Sequence, residues 1–150
     1  MRAEAYLGLG SNLGDRRANI DRGLAMLGRL GVVTAVSSML ETSPVGFSRQ
    51  PQFMNAACRM WTSLDPFQLL AKVQAVERAV GRHRAFPNAP RTLDIDILVF
   101  GRAVLEAPLL ILPHPRLRER RFALEPLSEI APELRHPVTG ETVAALLLKL

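Results

Sequence analysis

Two helical stripes divide this chain, and each lies between strand-like runs. Ile20, Leu24, Leu27 and Leu30 recur at three- and four-residue spacing from about Asp15 to Arg29, and Gly31 ends the pattern. Leu69, Val73, Val76 and Val80 repeat the device behind Pro66 and stop at Gly81. Around them, Ala3 to Leu9, Val32 to Thr42, Phe53 to Thr62 and Leu93 to Phe100 read as strands, being short, apolar or β-branched, and bounded by turn residues. The order β-α-β-β-α-β predicts an α+β, ferredoxin-like antiparallel sheet with both helices on one face. Beyond Gly101 we expect an extra C-terminal strand, a Pro-punctuated loop, a helix over Phe122 to Ile130 and a last helix around Glu141 to Lys149. With 150 residues, no internal repeat and no linker, residues 1–150 are expected to form a single domain.

Charge narrows the choice of partner. Net charge is +5 and the pI is about 10.6, so an anion is favoured. The arginines gather in Arg78 to Arg91 and in Arg116 to Arg121, which favours local capture of a compact polyanion over an extended one. One cysteine excludes an intramolecular disulfide and fits a reducing cytoplasm. Cys58 alternates with Met54, Ala56 and Met60, the pattern of an inert core thiol. Met1-Arg2-Ala3-Glu4 leads straight into the first strand without a signal-peptide pattern, and no stretch is apolar enough to span a membrane, so a cytoplasmic location is expected.

Asp94 and Asp96 carry the strongest chemical signal. Alternate residues of a strand point to one side, about 6.6–7 Å apart, so the two acids form a pair. Leu98 and Phe100 are expected to continue that side, placing the acids where a covered face begins. Two anions there call for cations, and magnesium accepts few carboxylates plus water and phosphate oxygens. An ordinary half-exposed strand with acids outward is the other reading. Arg91 stands just before this strand, with Arg82 and Arg84 at the far end of the preceding loop. All three can approach the acids as that loop folds in, where guanidinium groups suit phosphate. His114 is held between Pro113 and Pro115 and could meet a phosphate. Gln74 and Glu77 share the shoulder of the second helix, beside its apolar stripe. Phe53 and Asn55 alternate on one strand face, an aromatic surface beside an amide, which suits a flat heterocycle. The run Gly8 to Gly14 is not a dinucleotide fingerprint, because Leu13 occupies the third glycine position. Ser11 and Asn12 read first as loop and helix-cap residues.

Four blocks together resemble the 6-hydroxymethyl-7,8-dihydropterin pyrophosphokinase family over nearly the whole chain. They are Gly8-Leu9-Gly10-Ser11-Asn12; Glu41-Thr42-Ser43-Pro44 with Asn55-Ala56-Ala57; Pro90-Arg91-Thr92-Leu93-Asp94-Ile95-Asp96; and Pro113-His114-Pro115 with Arg120 to Phe122. The third is highly specific. The resemblance implies a folate-pathway enzyme that transfers pyrophosphate from ATP to 6-hydroxymethyl-7,8-dihydropterin and releases AMP. It implies that Asp94 and Asp96 hold two Mg2+ ions and that Asp96 helps take the hydroxyl proton. Arg82, Arg84, Arg91, His114 and Arg120 would surround the triphosphate, Arg82 and Arg91 with a catalytic role, and Gln74 and Glu77 would lie near the nucleotide. The pterin would sit between Phe53 and Phe122, with Asn55 on its amide edge and the backbone of Thr42, Ser43 and Val45 around its rim. Phe53 stands where relatives often place tyrosine.

Two rivals come from other classes. A basic ferredoxin-like module could bind RNA, but with 5% aromatic residues no strand carries an RNA-recognition stacking pattern. A magnesium-dependent kinase moving only the γ-phosphate would yield ADP. The expected partners are the two small substrates, with no nucleic acid and no membrane, and the chain is expected to be a monomer.

Overall fold

A computed structural model describes residues 2–42, 52–81 and 92–150. In chain order these form β1 (Ala3–Ser11), α1 (Arg16–Leu27), β2 (Val32–Val36), β3 (Leu40–Thr42), β4 (Phe53–Thr62), α2 (Pro66–Val80), β5 (Asp94–Phe100), β6 (Leu105–Glu106), β7 (Ile111–Leu112), α3 (Arg121–Ile130) and α4 (Val143–Leu148). The main sheet runs β2-β4-β1-β5 with β3 also on β4, and all its pairs are antiparallel. The strands joined through a helix are thus separated in the sheet, β1 from β2 by β4 and β4 from β5 by β1, as the split β-α-β arrangement requires. The expected extra strand is instead two short strands, β6 and β7, paired with each other outside the main sheet.

The expected run Val32 to Thr42 breaks in two at Ser37 and Ser38. The Ser37 hydroxyl accepts the Ala57 N–H at 2.8 Å, and the Ser38 N–H and hydroxyl both donate to Glu129 of α3 at 2.7–2.9 Å. Serine side chains compete with the ladder for backbone groups, and here they end one strand and start another.

The caps explain where the helices begin. Asp15, not Ser11 or Asn12, caps α1 by accepting the Ala18 N–H at 3.1 Å. Ser11 is still in β1, paired with Met54, too far back to reach the first turn. Its hydroxyl takes an Asn19 amide N–H instead, in a buried group that includes Asn12. Asp65 and Gln68 form a reciprocal capping box before α2, and Gly81 ends that helix at φ 105°, a left-handed conformation that a side chain disfavours.

Alternation assigns the two faces of the sheet. Ala5, Leu7 and Leu9 of β1, Met54, Ala56, Cys58 and Met60 of β4, and Ile95 and Ile97 of β5 pack under Ile20 and Leu27 of α1 and Leu69, Val73, Val76 and Val80 of α2. Both helices therefore cover one face. Burial pushes the Cys58 thiol up to about 12, as expected for a core thiol. Tyr6, Ala57, Leu98 and Val99 face the other way, against Leu124 and Leu127 of α3 and Val143 and Leu146 of α4.

One expectation fails within β5. Leu98 stays on the face of the two acids, but Phe100 lies in the opposite cluster. Tyr6 pairs with Val99 while Leu7 pairs with Ile97, so Leu98 is an extra residue in β5. A bulge of this kind shifts the alternation by one, which returns Phe100 to the α1 and α2 side. Among the described residues no helix is long and apolar enough to cross a membrane.

Candidate active site

The acid face of β5 opens into a cleft of about 500 Å³ between the sheet and the start of α3. Its floor is glycine: Gly8 and Gly10 occupy the cleft-facing positions of β1, so no side chain rises from the middle strand. Gly10 is needed for close approach, because a Cβ there would lie 2.8 Å from Asn55 Oδ1 and 3.4 Å from Phe53 Cδ1. Asn55 is buried and lies across Gly10, whereas Phe53 remains half-exposed at the end of β4. Asp94, Asp96 and Leu98 form the β5 side, and Arg120, Arg121 and Phe122 come from the start of α3.

The bulge in β5 also places His114. The carbonyl of Leu98 accepts the His114 N–H at 2.8 Å, which brings the imidazole beside Asp96. His114 Nε2 lies 3.9 Å from Asp96 Oδ1, and Arg120 lies 3.8 Å from Asp96 Oδ2. His114 Nδ1 accepts the Arg116 N–H at 3.2 Å, so the neutral ring carries its proton on Nε2, toward the acid. Burial, with Arg120 and Arg116 nearby, lowers the His114 pKa to about 4 against the opposing pull of Asp94. At neutral pH it is therefore an uncharged donor. The sequence alone offered no orienting partner for this ring; a backbone N–H two residues on provides one.

Arg120 joins the two ends of the cleft. Its guanidinium carbon lies 5.3 Å from the centre of the Phe122 ring while the same group faces Asp96. A cation over an aromatic face is attracted by the ring quadrupole, so one side chain links the charged and the aromatic regions.

Glu77 departs from its sequence reading as a shoulder residue. It is buried, because β5 covers that edge of α2, and its Oε2 accepts the Ile95 N–H at 2.8 Å, between the two acids. Gln74, one turn earlier, is exposed. The structure thus brings Phe53, Asn55, Asp94, Asp96, Arg120 and Phe122 into one cleft with His114 at its edge. Thr42 is in β3, but its side chain lies outside the description, as do Ser43, Val45, Arg82, Arg84 and Arg91 altogether. Apart from Arg120, sequence reasoning gave the arginines from Arg116 to Arg121 no individual role; Arg116, Arg121 and Glu125 also line the cleft.

Among the described residues no three His, Cys, Asp or Glu side chains converge as a metal cage. The Asp94 and Asp96 pair nevertheless fits Mg2+, which commonly takes one or two carboxylates and completes its shell with water and phosphate oxygens. Zinc or calcium would ask for more protein ligands.

Comparison with known proteins agrees with this arrangement. Residues 6–132 match the family model 7,8-dihydro-6-hydroxymethylpterin-pyrophosphokinase. The 2-amino-4-hydroxy-6-hydroxymethyldihydropteridine pyrophosphokinase of Bacillus subtilis is 46% identical over 138 residues, which are 91% of this chain and 83% of that one. The enzyme of the same name from Aquifex aeolicus is 41% identical over 91% of this chain and 85% of its own. Folic acid synthesis protein fol1 of Pneumocystis carinii is 42% identical over 97% of this chain, which spans only 20% of that longer protein. In fold, a Plasmodium falciparum HPPK-DHPS crystal structure with pteroate superposes at a TM-score of 0.81 with 16% identity, over 99% of this chain and 42% of that one. The glycine-floored cleft, its paired acids and a match across most of its length establish that this chain belongs to the 7,8-dihydro-6-hydroxymethylpterin-pyrophosphokinase family.

Proposed function

We propose that this cleft transfers pyrophosphate from ATP to 6-hydroxymethyl-7,8-dihydropterin, with Asp94 and Asp96 at the phosphate end and Phe53, Asn55 and Phe122 at the pterin end. The observation that carries the assignment of ends is the placement of two half-buried acids and an aromatic-amide surface in one cleft, bridged by Arg120. The hydroxymethyl oxygen attacks the β-phosphorus, and the bond from that phosphorus to the oxygen bridging to the α-phosphorus breaks. AMP leaves with that oxygen, and the hydroxyl proton passes to Asp96.

Asp94 and Asp96 would hold two Mg2+ ions, which when bound neutralise phosphate charge and align the groups for in-line displacement. His114 donates from Nε2 without adding charge, and Arg120 supplies a permanent cation on the same side. Phe53 and Phe122 provide faces for the heterocycle, and Asn55, fixed over Gly10, presents an amide that can read its hydrogen-bonding edge. Buried polar groups that would be left unmatched by another ring are an effective means of discrimination.

By family likeness, Arg82, Arg84 and Arg91 join the triphosphate site, Arg82 and Arg91 taking part in catalysis. Gln74 and Glu77 lie near the nucleotide, and the backbone of Thr42, Ser43 and Val45 borders the pterin. We further read residues 1–150 as one pyrophosphokinase domain acting as a cytoplasmic monomer that binds no nucleic acid.

Phosphorus NMR of the protein with ATP, Mg2+ and the hydroxymethyl-dihydropterin tests the reaction directly. AMP and a pterin diphosphate are expected; ADP, or no turnover, defeats the reading. Chelation of Mg2+ with excess EDTA should abolish AMP formation, and readdition of the ion should restore it.

A further inference from the structure

We infer that Arg16, which lies outside the cleft, is a positioning residue that holds the pterin end of the site in shape. This inference rests on the assignment of that end above. Arg16 is the first residue of α1, directly after the Asp15 cap. Its guanidinium donates to the Glu41 carboxylate at 2.6 Å and to the Gln52 carbonyl at 2.9 Å. Glu41 belongs to β3, and Gln52 immediately precedes β4. One planar fork therefore ties two chain segments that stand on either side of residues 43–51.

The place of this tie gives it consequence. β3 joins β4 by only three residue pairs, Leu40 with Asn55, Glu41 with Met54 and Thr42 with Phe53. Phe53 is thus in the last pair of a short ladder, and Asn55 is in the first. β3 is not part of the main path through the sheet, and among the described residues its position is set by this ladder, the Ser37 bonds to Ala57, the Ser38 contact with Glu129 and Arg16. Arg16 also begins the helix that follows Gly10, Ser11 and Asn12, and Gly10 is the residue over which Asn55 lies. The tie couples the turn at the end of β1 to the strand ends that carry Phe53 and Asn55.

As an ion pair alone the contact would count for little. Arg16 and Glu41 side chains are 26% and 52% exposed, and exposed pairs add little to stability. Its value is geometric: a rigid fork with two acceptors at fixed angles sets the spacing between them, which a flexible lysine with a single charged head cannot reproduce. The expectation is a loss of substrate positioning without a matching loss of stability.

The test uses Arg16→Ala and Arg16→Lys in the full chain. For Arg16→Ala, KM for the pterin should rise about tenfold, the scale that small misplacements produce, while KM for ATP stays within about twofold. Arg16→Lys should recover only part of this. Amide hydrogen exchange, read well below the unfolding midpoint and without substrate, should quicken at 40–42 and 53–55 in both variants but not in α2. Equal weakening of ATP and pterin, an unchanged pterin KM, or full recovery by lysine would overturn the inference. So would unchanged exchange at those amides. Should wild-type protein make no pterin diphosphate, the substrate assignment falls, and the exchange measurement still decides whether Arg16 holds these strand ends.

Discussion

At the residue scale, the site depends on side chains that are absent as much as on those present. Gly10→Ala places a methyl group 2.8 Å from Asn55 Oδ1, a side-chain atom, so the Asn55 amide is displaced before the backbone moves. We expect a stability loss of about 1 kcal/mol by urea unfolding, from overpacking. Pterin affinity should fall roughly tenfold by fluorescence titration, because the amide loses its place. Asp94→Asn and Asp96→Asn keep the shape of the strand and remove charge, and each should lower turnover by about 10²–10³ while the unfolding midpoint barely changes. An equal loss of fold and turnover would make the acids structural. The acid pair was legible from spacing alone, since a strand sends alternate residues to one side. Gly10 was legible only as part of a motif, because its reason is the side chain of a residue 45 positions later.

At the element scale, capping and burial separate two kinds of carboxylate. Asp65 caps α2 far from the cleft, so Asp65→Ala should cost about 0.5–2 kcal/mol of stability in a urea titration and leave kcat and KM unchanged. Glu77 lies on the same helix but holds the Ile95 N–H between Asp94 and Asp96. Glu77→Ala leaves that buried donor unmatched, costs about 1–3 kcal/mol, and should also lower turnover by disturbing the spacing of the acids. Glu77→Gln, which keeps an acceptor oxygen, should be milder on both counts. The helices α1 and α2 were readable from their stripes and stops. The break between β2 and β3 was not, because it depends on where Ser37 and Ser38 find Ala57 and Glu129. The helix expected over Phe122 to Ile130 is found as α3 even though Pro126 sits inside it, because its buried Leu124 and Leu127 seal the second face of the sheet and hold the helix.

At the scale of the whole molecule, acid stability is set partly far from the cleft. His136 is buried and its Nδ1 accepts the N–H groups of Val138 and Thr139, each at 3.2 Å. Burial, then Arg118, lowers its pKa below 6.5, with Glu141 opposing. The unfolded chain therefore binds this proton more readily than the folded one. Stability is complete above about pH 6.5 and declines as pH falls below it. Urea midpoints measured downward from about pH 7.5 should drop in this range, where His114 contributes with the same sign, and His136→Asn should make that part of the profile shallower. The sequence by itself determined the β-α-β-β-α-β order, the buried face of α1 and α2, the acid pair and the aromatic-amide pair, because these follow from local periods of two and 3.6 residues. Only tertiary structure decided the bulge that turns Phe100 away and delivers His114 to Asp96, the burial of Glu77, and the reach of Arg120 from an acid to an aromatic ring. Each of those depends on which distant segment lies alongside, and no local period encodes that.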